Sequence, residues 1–396
     1  MTVNDKKLVL KIACLPWFNE SRDKRELSVA REMGYDVAVL AKGEDEDHGR
    51  MDEVSGFRVY RYSVKPLGRR FPHALNKALS LFTWADFVRR LSPYAISGHD
   101  IHGLTIGWIS TWFMPKRKRP VLIYDSHELE TGRNARRGAL TKAFVLYWER
   151  FLISQSRFTI MVNDSVADEL VKIHGLKERP LVVRSTPEKW SIDRGESARV
   201  RSKLLSLMAE PRDFIALYHG VVANGRGIEN FIRALAETPD ICGVILGNGS
   251  DEYLRSLKDL AAEYGVEARL LFHPAVSYAE LGSYVSAADL GMVNIMPVSK
   301  SYYFCLPNKF FECIQSCTPV LISDFPELRR VVEHYDIGLW CDPEDAGAIS
   351  ACMEKMRTDK ALYSRFKNNL GTAKEELCWE KEKKILAGAY ASIDED

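Results

Sequence analysis

The chain has 396 residues, too many for one ordinary hydrophobic core, so two domains of normal size are expected. Its 55 basic and 54 acidic side chains leave a net charge of +1, which gives no general attraction to nucleic acid and confines any contact with a polyanion or a membrane to local patches. Eight cysteines occur without a CxxC pair, the pattern of reduced and mostly buried thiols in a cytoplasmic protein, not of a metal site or a disulfide framework.

The start, MTVNDKKLVLKIACLPWF, holds only a short apolar run; it predicts a first strand over KLVLKIACL and does not read as a secretory leader. Asp23 to Met33 predicts a helix ending at Gly34, YDVAVLAK a second strand and FRVYRYSV a third. Strands alternating with helices in this way predict a parallel sheet covered on both faces. Residues 66–90 form a basic amphipathic stretch, with Phe71, Leu75, Leu79, Phe82 and Phe87 among Arg69, Arg70, Lys77, Arg89 and Arg90. It reads either as a helix packed on its own domain with solvated arginines or as a segment touching a membrane surface. The apolar window IHGLTIGWISTWFMP, 101–115, falls short of the about 20 residues that cross a bilayer as a helix, and KRKR at 116–119 reads as a solvated loop.

VLIYDSHELETG, 121–132, is a buried strand ending in a polar cluster, at the edge where open α/β sheets bind ligands. His127 is its candidate for chemistry near neutral pH, against the plainer reading of a structural histidine at a strand end. From Tyr147 to Pro187 the pattern predicts a helix, the strand FTIMVN, a helix opened by Asp164 or Ser165 and stopped at Gly175, and the strand PLVVRS. The polar, unpatterned segment beginning KWSIDRGESARVRSK predicts a linker over 188–210.

DFIALYHG, 213–220, restarts the alternation and turns through Gly220, Gly225 and Gly227 into the amphipathic helix of GIENFIRALAE. Then come the strand GVILGNGS, a helix to Tyr264, the strand RLLFHPAV, the helix AELGSYVSAAD, the strand LGMVNIM and the loop PVSKSYYFCL. GNGS lacks the third glycine of a dinucleotide fingerprint and lies far from the first strand, which argues against NAD binding.

The most informative stretch is YYFCLPNKFFECIQSCTPVLISDFPEL, 302–328. Pro307 suits a helix's first turn, where the amides of Asn308, Lys309 and their neighbours lack partners. Those amides, the positive end of the helix dipole and the Lys309 ammonium suit a pyrophosphate, and Glu312, one turn on, suits a ribose diol. Read alone, a Pro-Asn-Lys triplet is an ordinary proline-capped helix running into a buried strand, TPVLIS. After it come another strand and helix, and the terminal helix CWEKEKKILAGAYASI.

The run Glu312 to Val320 with Ser323, Pro326 and Glu327 resembles the donor-binding signature of retaining GT-B glycosyltransferases of family four, the glycosyl transferases group 1, in a PNK-type variant. Asp125, His127 and Glu128 resemble the YDxHE segment of the same subgroup, in which the histidine approaches the donor sugar, and His102 falls where relatives also place a histidine. Arg226 stands where relatives carry a lysine. Two positions depart from the pattern: Phe304 replaces the first of two glutamates spaced eight apart, and Val221 replaces an arginine.

The resemblance implies an α/β fold of GT-B type, with two Rossmann-like domains whose parallel sheets face across a cleft. Its divisions are an acceptor-side domain 1–187, the linker 188–210, a nucleotide-sugar domain 211–375 and a helix 376–396 returning to the first domain. It implies His127 as catalytic, Arg226, Asn308, Lys309 and Glu312 as donor-binding, and the base near His273 to Val276. No metal and no cofactor are implied; the co-substrate is a nucleotide diphosphate sugar of UDP or GDP type, and the acceptor a glycan or a lipid-linked glycan of surface polysaccharide biosynthesis. The expected location is cytoplasmic, with peripheral contact at the inner face of the membrane. A nucleotide-sugar epimerase of the same fold and a non-catalytic GT-B scaffold stay open as alternatives.

Overall fold

In the computed structural model, which describes residues 6–16, 21–65, 72–112, 114–127, 129 and 138–394, the chain forms two compact units, Met1–Arg184 with Glu382–Asp396, and Ser185–Lys381. The predicted Arg69, Arg70, Phe71 and Glu128 lie outside the described residues. Both units are α/β, and the eight cysteines are free. Among the described residues no helix is long and apolar enough to cross a membrane.

The first unit runs β1 (Leu8–Ala13), α1 (Ser21–Glu32), β2 (Asp36–Lys42), β3 (Arg50–Val54), β4 (Phe57–Tyr62), α2 (His73–Leu91), β5 (Ala95–His99) and α3 (Asp100–Ser110), followed by β6 (Val121–Ser126), α4 (Ala139–Gln155), β7 (Phe158–Met161), α5 (Asp164–His174) and β8 (Leu181–Val182). Its sheet has the order β3-β4-β2-β1-β5-β6-β7-β8 and is parallel except where β3 pairs with β4. β3, RMDEV, is largely exposed, and its two apolar residues, Met51 and Val54, stand three apart, so it carries no apolar alternation by which the sequence could show it. The window 101–115 is largely α3, whose buried residues include Ile101, Leu104 and Ile106.

The second unit runs α6 (Arg194–Ser206), β9 (Phe214–His219), α7 (Ile228–Ala236), β10 (Ile241–Leu246), α8 (Asp251–Glu263), β11 (Leu270–His273), α9 (Tyr278–Ser286) and β12 (Leu290–Val293), then α10 (Lys300–Tyr303), α11 (Asn308–Gln315), β13 (Val320–Ser323), α12 (Pro326–Tyr335), β14 (Gly338–Cys341), α13 (Ala346–Thr358) and α14 (Lys360–Glu376). The last helix, α15 (Trp379–Ala391), joins the first unit from Glu382 onward, where Tyr390 donates a 2.9 Å hydrogen bond to Glu26. The second sheet is all parallel in the order β11-β10-β9-β12-β13-β14. Every residue of β9, FIALYH, is buried, as helices on both faces of a parallel sheet require.

Three local readings change. The expected linker, 188–210, contains α6, whose N-terminus is capped by the Asp193 side chain accepting from Gly195 and Glu196; Val200 and Leu204 of the helix and Met208 just beyond it, each four residues apart, pack into the second unit's core. Asn163, not Asp164 or Ser165, caps α5 by accepting from the Val166 amide. Pro307 is the cap of α11, in extended conformation, and the helix begins one residue later at Asn308.

Both sheets reverse their strand order beside the first strand of the unit, between β1 and β5 and between β9 and β12. Crossovers leave to opposite sides at these points, so the carboxyl ends of the two strands open a crevice. At the second crevice Gly227 has φ +71°, and a Cβ there would stand 2.2 Å from the Asn294 carbonyl oxygen. Gly227→Ala is therefore expected to cost about 2 kcal/mol or more, seen as a fall of roughly 4–8 °C in the melting of the second unit. An unchanged melting curve would show that the turn relaxes freely.

Candidate functional site

At the second crevice, β9 ends in Tyr218 and His219, and α11 follows β12 into the same place. Lys309 is buried with its Nζ 3.8 Å above the centroid of the Tyr218 ring and without a hydrogen-bond partner. Arg226, on the glycine turn before α7, has its guanidinium 5.2 Å over the Tyr302 ring. Burial first, and then the neighbouring Arg226 charge, push the Lys309 pKa down to about 7. Among the described residues neither cation has a salt-bridge partner. α11 also opens without a side-chain cap, which leaves the first amides of its dipole-positive end available. Two cations without counter-charges beside an uncapped helix start make an electropositive crevice of the kind that suits an anion.

Glu312, one turn along α11, meets His219 Nε2 at 2.9 Å, while His219 Nδ1 is buried and unpartnered. The structure thus brings Arg226, Lys309 and Glu312 to one crevice; Asn308 stands exposed at the first position of α11. Sequence reasoning missed Tyr218, His219 and Tyr302. His219 sits at the end of a recognisable strand, but only the strand order makes that end a crevice. Phe304 closes the short α10 against Tyr303, and Val221 is exposed. His273 ends β11, with the following Ala275 amide donating to Asn248 at 3.0 Å.

The first unit carries a different centre. Lys11, fully buried on β1, places its ammonium 2.5 Å from Asp125, 2.5 Å from Glu26 and 3.2 Å from Asp23. Arg22 adds a 3.1 Å contact to Asp125. These carboxylates then hold two histidines. His127 Nε2 lies 2.9 Å from Asp125 and 3.4 Å from Asp23, and His99 Nδ1 lies 3.0 Å from the other oxygen of Asp23. The two rings sit 3.8 Å apart by centroid. Asp100, in left-handed conformation at φ +57°, accepts the His127 backbone N–H at 3.1 Å, a strained backbone fixed by that contact.

Burial opposes the charged form of His127, but the Asp125 carboxylate and then Asp23 outweigh it and raise the pKa to about 9. Asp23 and Asp125 go the other way: burial would raise them, yet the Lys11 charge holds both well below the usual carboxylate range. His127 is thus an imidazolium at neutral pH, a hydrogen-bond donor and not a general base. Asp23, Glu26 and Asp125 gather like a metal-ligand set, but the Lys11 ammonium occupies the place a cation would take. Beside this centre, at the ends of β1 and β5, lies a cavity of about 470 Å³ lined by Leu15, Lys77, Leu81, Trp84, His99 and His102 among others.

Residues 206–371 match the family model described as glycosyl transferases group 1, and residues 27–186 match that of the glycosyl transferase 4-like domain. The chain belongs to the glycosyltransferases of this family-4 type. A relative from Xylanimonas cellulosilytica, D-inositol 3-phosphate glycosyltransferase, is 24% identical over 86% of this chain and 83% of its own. The protein of that name from Mycobacterium bovis is 24% identical over 64% of this chain and 52% of its own. Among solved structures, sucrose-phosphate synthase from Thermosynechococcus elongatus superposes with a TM-score of 0.76 at 18% identity over 98% of this chain and 99% of that one. Anabaena HepE in complex with UDP superposes with a TM-score of 0.74 at 13% identity over 98% and 100%. These likenesses make the glycosyltransferase fold GT-B, as its motifs imply.

The raised pKa of His127 has a measurable consequence. Its contribution to stability is complete below pH 6.5, the ordinary value, and lost as pH rises through about 9. Thermal melts should show the wild type above His127→Gln in Tm at acidic pH, with the gap closing as the solution becomes alkaline. A gap independent of pH would mean that the imidazole is neutral.

Proposed function

We propose that this glycosyltransferase moves a sugar from a nucleotide diphosphate sugar to a glycan or lipid-linked acceptor, with retention of anomeric configuration and without a divalent metal. The observation that carries the reading is the buried, unpartnered ammonium of Lys309 next to Arg226. Burying a lysine without a counter-charge is costly in the free protein and is offset when a doubly charged pyrophosphate arrives. Cleavage of the glycosidic bond puts further negative charge on that leaving group. Lys309, Arg226 and the first amides of α11, Asn308 and Lys309 among them, stabilise that charge from fixed positions. Fixed cations in this role leave a metal little to add.

Glu312 takes the ribose diol, its carboxylate oriented by the 2.9 Å contact to His219. His127 is the catalytic candidate, a cationic donor held in its charged form by Asp125 and Asp23. Attack from the face of the departing phosphate, with a phosphate oxygen as base, gives retention and needs no pair of protein carboxylates at the anomeric carbon. Uridine is the favoured base, because Anabaena HepE, of the same fold, was solved with UDP and with UDP-glucose. The reading places the protein in the cytoplasm, where nucleotide sugars are made.

Binding of UDP by calorimetry tests the site. The diphosphate favours charged Lys309, so above pH 7 binding takes up a proton and affinity falls as pH rises. Lys309→Met should weaken UDP binding by about 10- to 100-fold, the worth of a charge-assisted hydrogen bond, and remove most of that pH dependence. The same variant should melt at or above the wild type without ligand, since it removes a buried unpaired amine. Undiminished affinity in Lys309→Met would refute the site. Turnover of UDP-sugars in EDTA, with the product anomer read by NMR, tests the metal-free retaining step.

A further inference from the structure

The two cations of the second crevice have carboxylates close by and pair with neither. Glu312 follows Lys309 by one turn of α11, on the same face of the helix, and its charge reaches the lysine. Its carboxylate is engaged elsewhere, by His219 Nε2 at 2.9 Å. Glu229 follows Arg226 by three residues, in the first turn of α7, and accepts a 2.6 Å hydrogen bond from the Tyr253 hydroxyl of α8. Each carboxylate is thus held by a side chain that is not one of the two cations.

What the cations do face is aromatic. Lys309 Nζ lies 3.8 Å above the centroid of the Tyr218 ring, and the Arg226 guanidinium lies 5.2 Å over the Tyr302 ring. Tyr218 is 2% exposed and its hydroxyl donates at 2.6 Å to the Val221 carbonyl, so its ring cannot turn away. Tyr302, on α10, packs on the second unit's core, and its backbone N–H is capped by Ser299 at 3.2 Å. The face of an aromatic ring is electrostatically negative and attracts a cation without neutralising it. A carboxylate in the same place would form a pair that an arriving anion has to break. The remaining groups near Lys309 are the thiols of Cys305 and Cys313, and burial pushes the Cys313 thiol up, keeping it neutral.

We propose that Tyr218 and Tyr302 are positioning residues of this site: their ring faces seat Lys309 and Arg226 in the ligand-free protein, while His219 and Tyr253 keep Glu312 and Glu229 from pairing with them. The cations are then aimed and still available when a diphosphate arrives. This deepens the transfer reading and rests on it for the identity of the anion. For Lys309 the seat also bears on charge. Burial and Arg226 push its pKa down to about 7, and the Tyr218 face works against both, favouring the ammonium.

Calorimetry of UDP binding between about pH 6 and 9 tests the seating. Tyr218→Leu should bind about tenfold more weakly above pH 7, with the deficit closing on acidification, because free Lys309 gives up its proton about one pH unit lower without the ring. Tyr218→Phe keeps the ring and should behave as the wild type. Pentafluorophenylalanine at position 218 keeps the ring's shape but removes its negative face, and should reproduce the loss even if the leucine variant does not fold. Tyr302→Leu should lose about threefold equally at every pH, since a guanidinium does not titrate there. Tyr253→Phe should release Glu229 towards Arg226 and weaken binding by up to about fivefold, the worth of an exposed ion pair. The proposal is overturned if any of these losses is absent, if the deficit at position 218 is the same at every pH, or if Tyr218→Phe matches Tyr218→Leu. A ligand-free measurement separates the seating from the donor reading. The depressed pKa of Lys309 costs stability as pH falls towards it, so the Tm deficit of the wild type against Lys309→Met should stop growing near pH 7. In the Tyr218→Leu background the same deficit should stop growing at about pH 6. That shift, in a protein that does not bind UDP, would sink the donor reading and keep the seating; no shift would sink the seating whatever UDP does.

Discussion

Parallel strands joined by right-handed crossovers send their loops to one edge of the sheet, and a reversal of strand order parts those loops at one point. This constraint places the chemistry in both units. The first sheet reverses between β1 and β5, where His99, Asp100 and the cavity lie beside the His127 centre. The second reverses between β9 and β12, where Tyr218, His219, Arg226 and α11 converge. Glycines at the second reversal serve the same constraint, since backbones approach there more closely than a Cβ allows.

Two buried lysines show how environment divides the labour. Lys11 and Lys309 are both withdrawn from water, which by itself disfavours the ammonium. Lys11 is surrounded by Asp23, Glu26 and Asp125, and their charges more than reverse the effect of burial, so its pKa rises. Lys309 faces an aromatic ring and another cation, and its pKa falls to about 7. The compensated lysine is a structural hub, which fixes two carboxylates and through them the charge of His127. The uncompensated one carries a burial cost that no counter-charge offsets, which is why the proposed function assigns it an anion.

The network around Lys11 also links distant parts of the first unit. Asp125 comes from β6, Asp23 and Glu26 from α1, and Tyr390, bonded to Glu26, from the last helix. The return of α15 to this unit is thus tied into the same charge cluster that orients His127. A buried network of this kind requires nearly every member, because removing one leaves a charge without a partner.

Much of this was legible in the residues alone. Alternating apolar strands and amphipathic helices determined the α/β class, and the glycine turn at 225–227 and the Pro-Asn-Lys helix start determined where an anion could be held, because both signals are local. Arg226, Lys309, Glu312 and His127 stood out for the same reason. The sequence hid α6, whose two core residues, Val200 and Leu204, stand among charges, and β3, whose residues are mostly polar on an open edge. It could not show that His219 orients Glu312, that Asp23 joins His99 to His127, or that Lys11 is compensated while Lys309 is not. Those facts depend on strand order and on residues up to 364 positions apart, as Glu26 and Tyr390 are. Local periodicity determines which elements form; only their packing decides which charges meet, and those meetings decide whether a lysine or a histidine holds the fold or awaits a ligand.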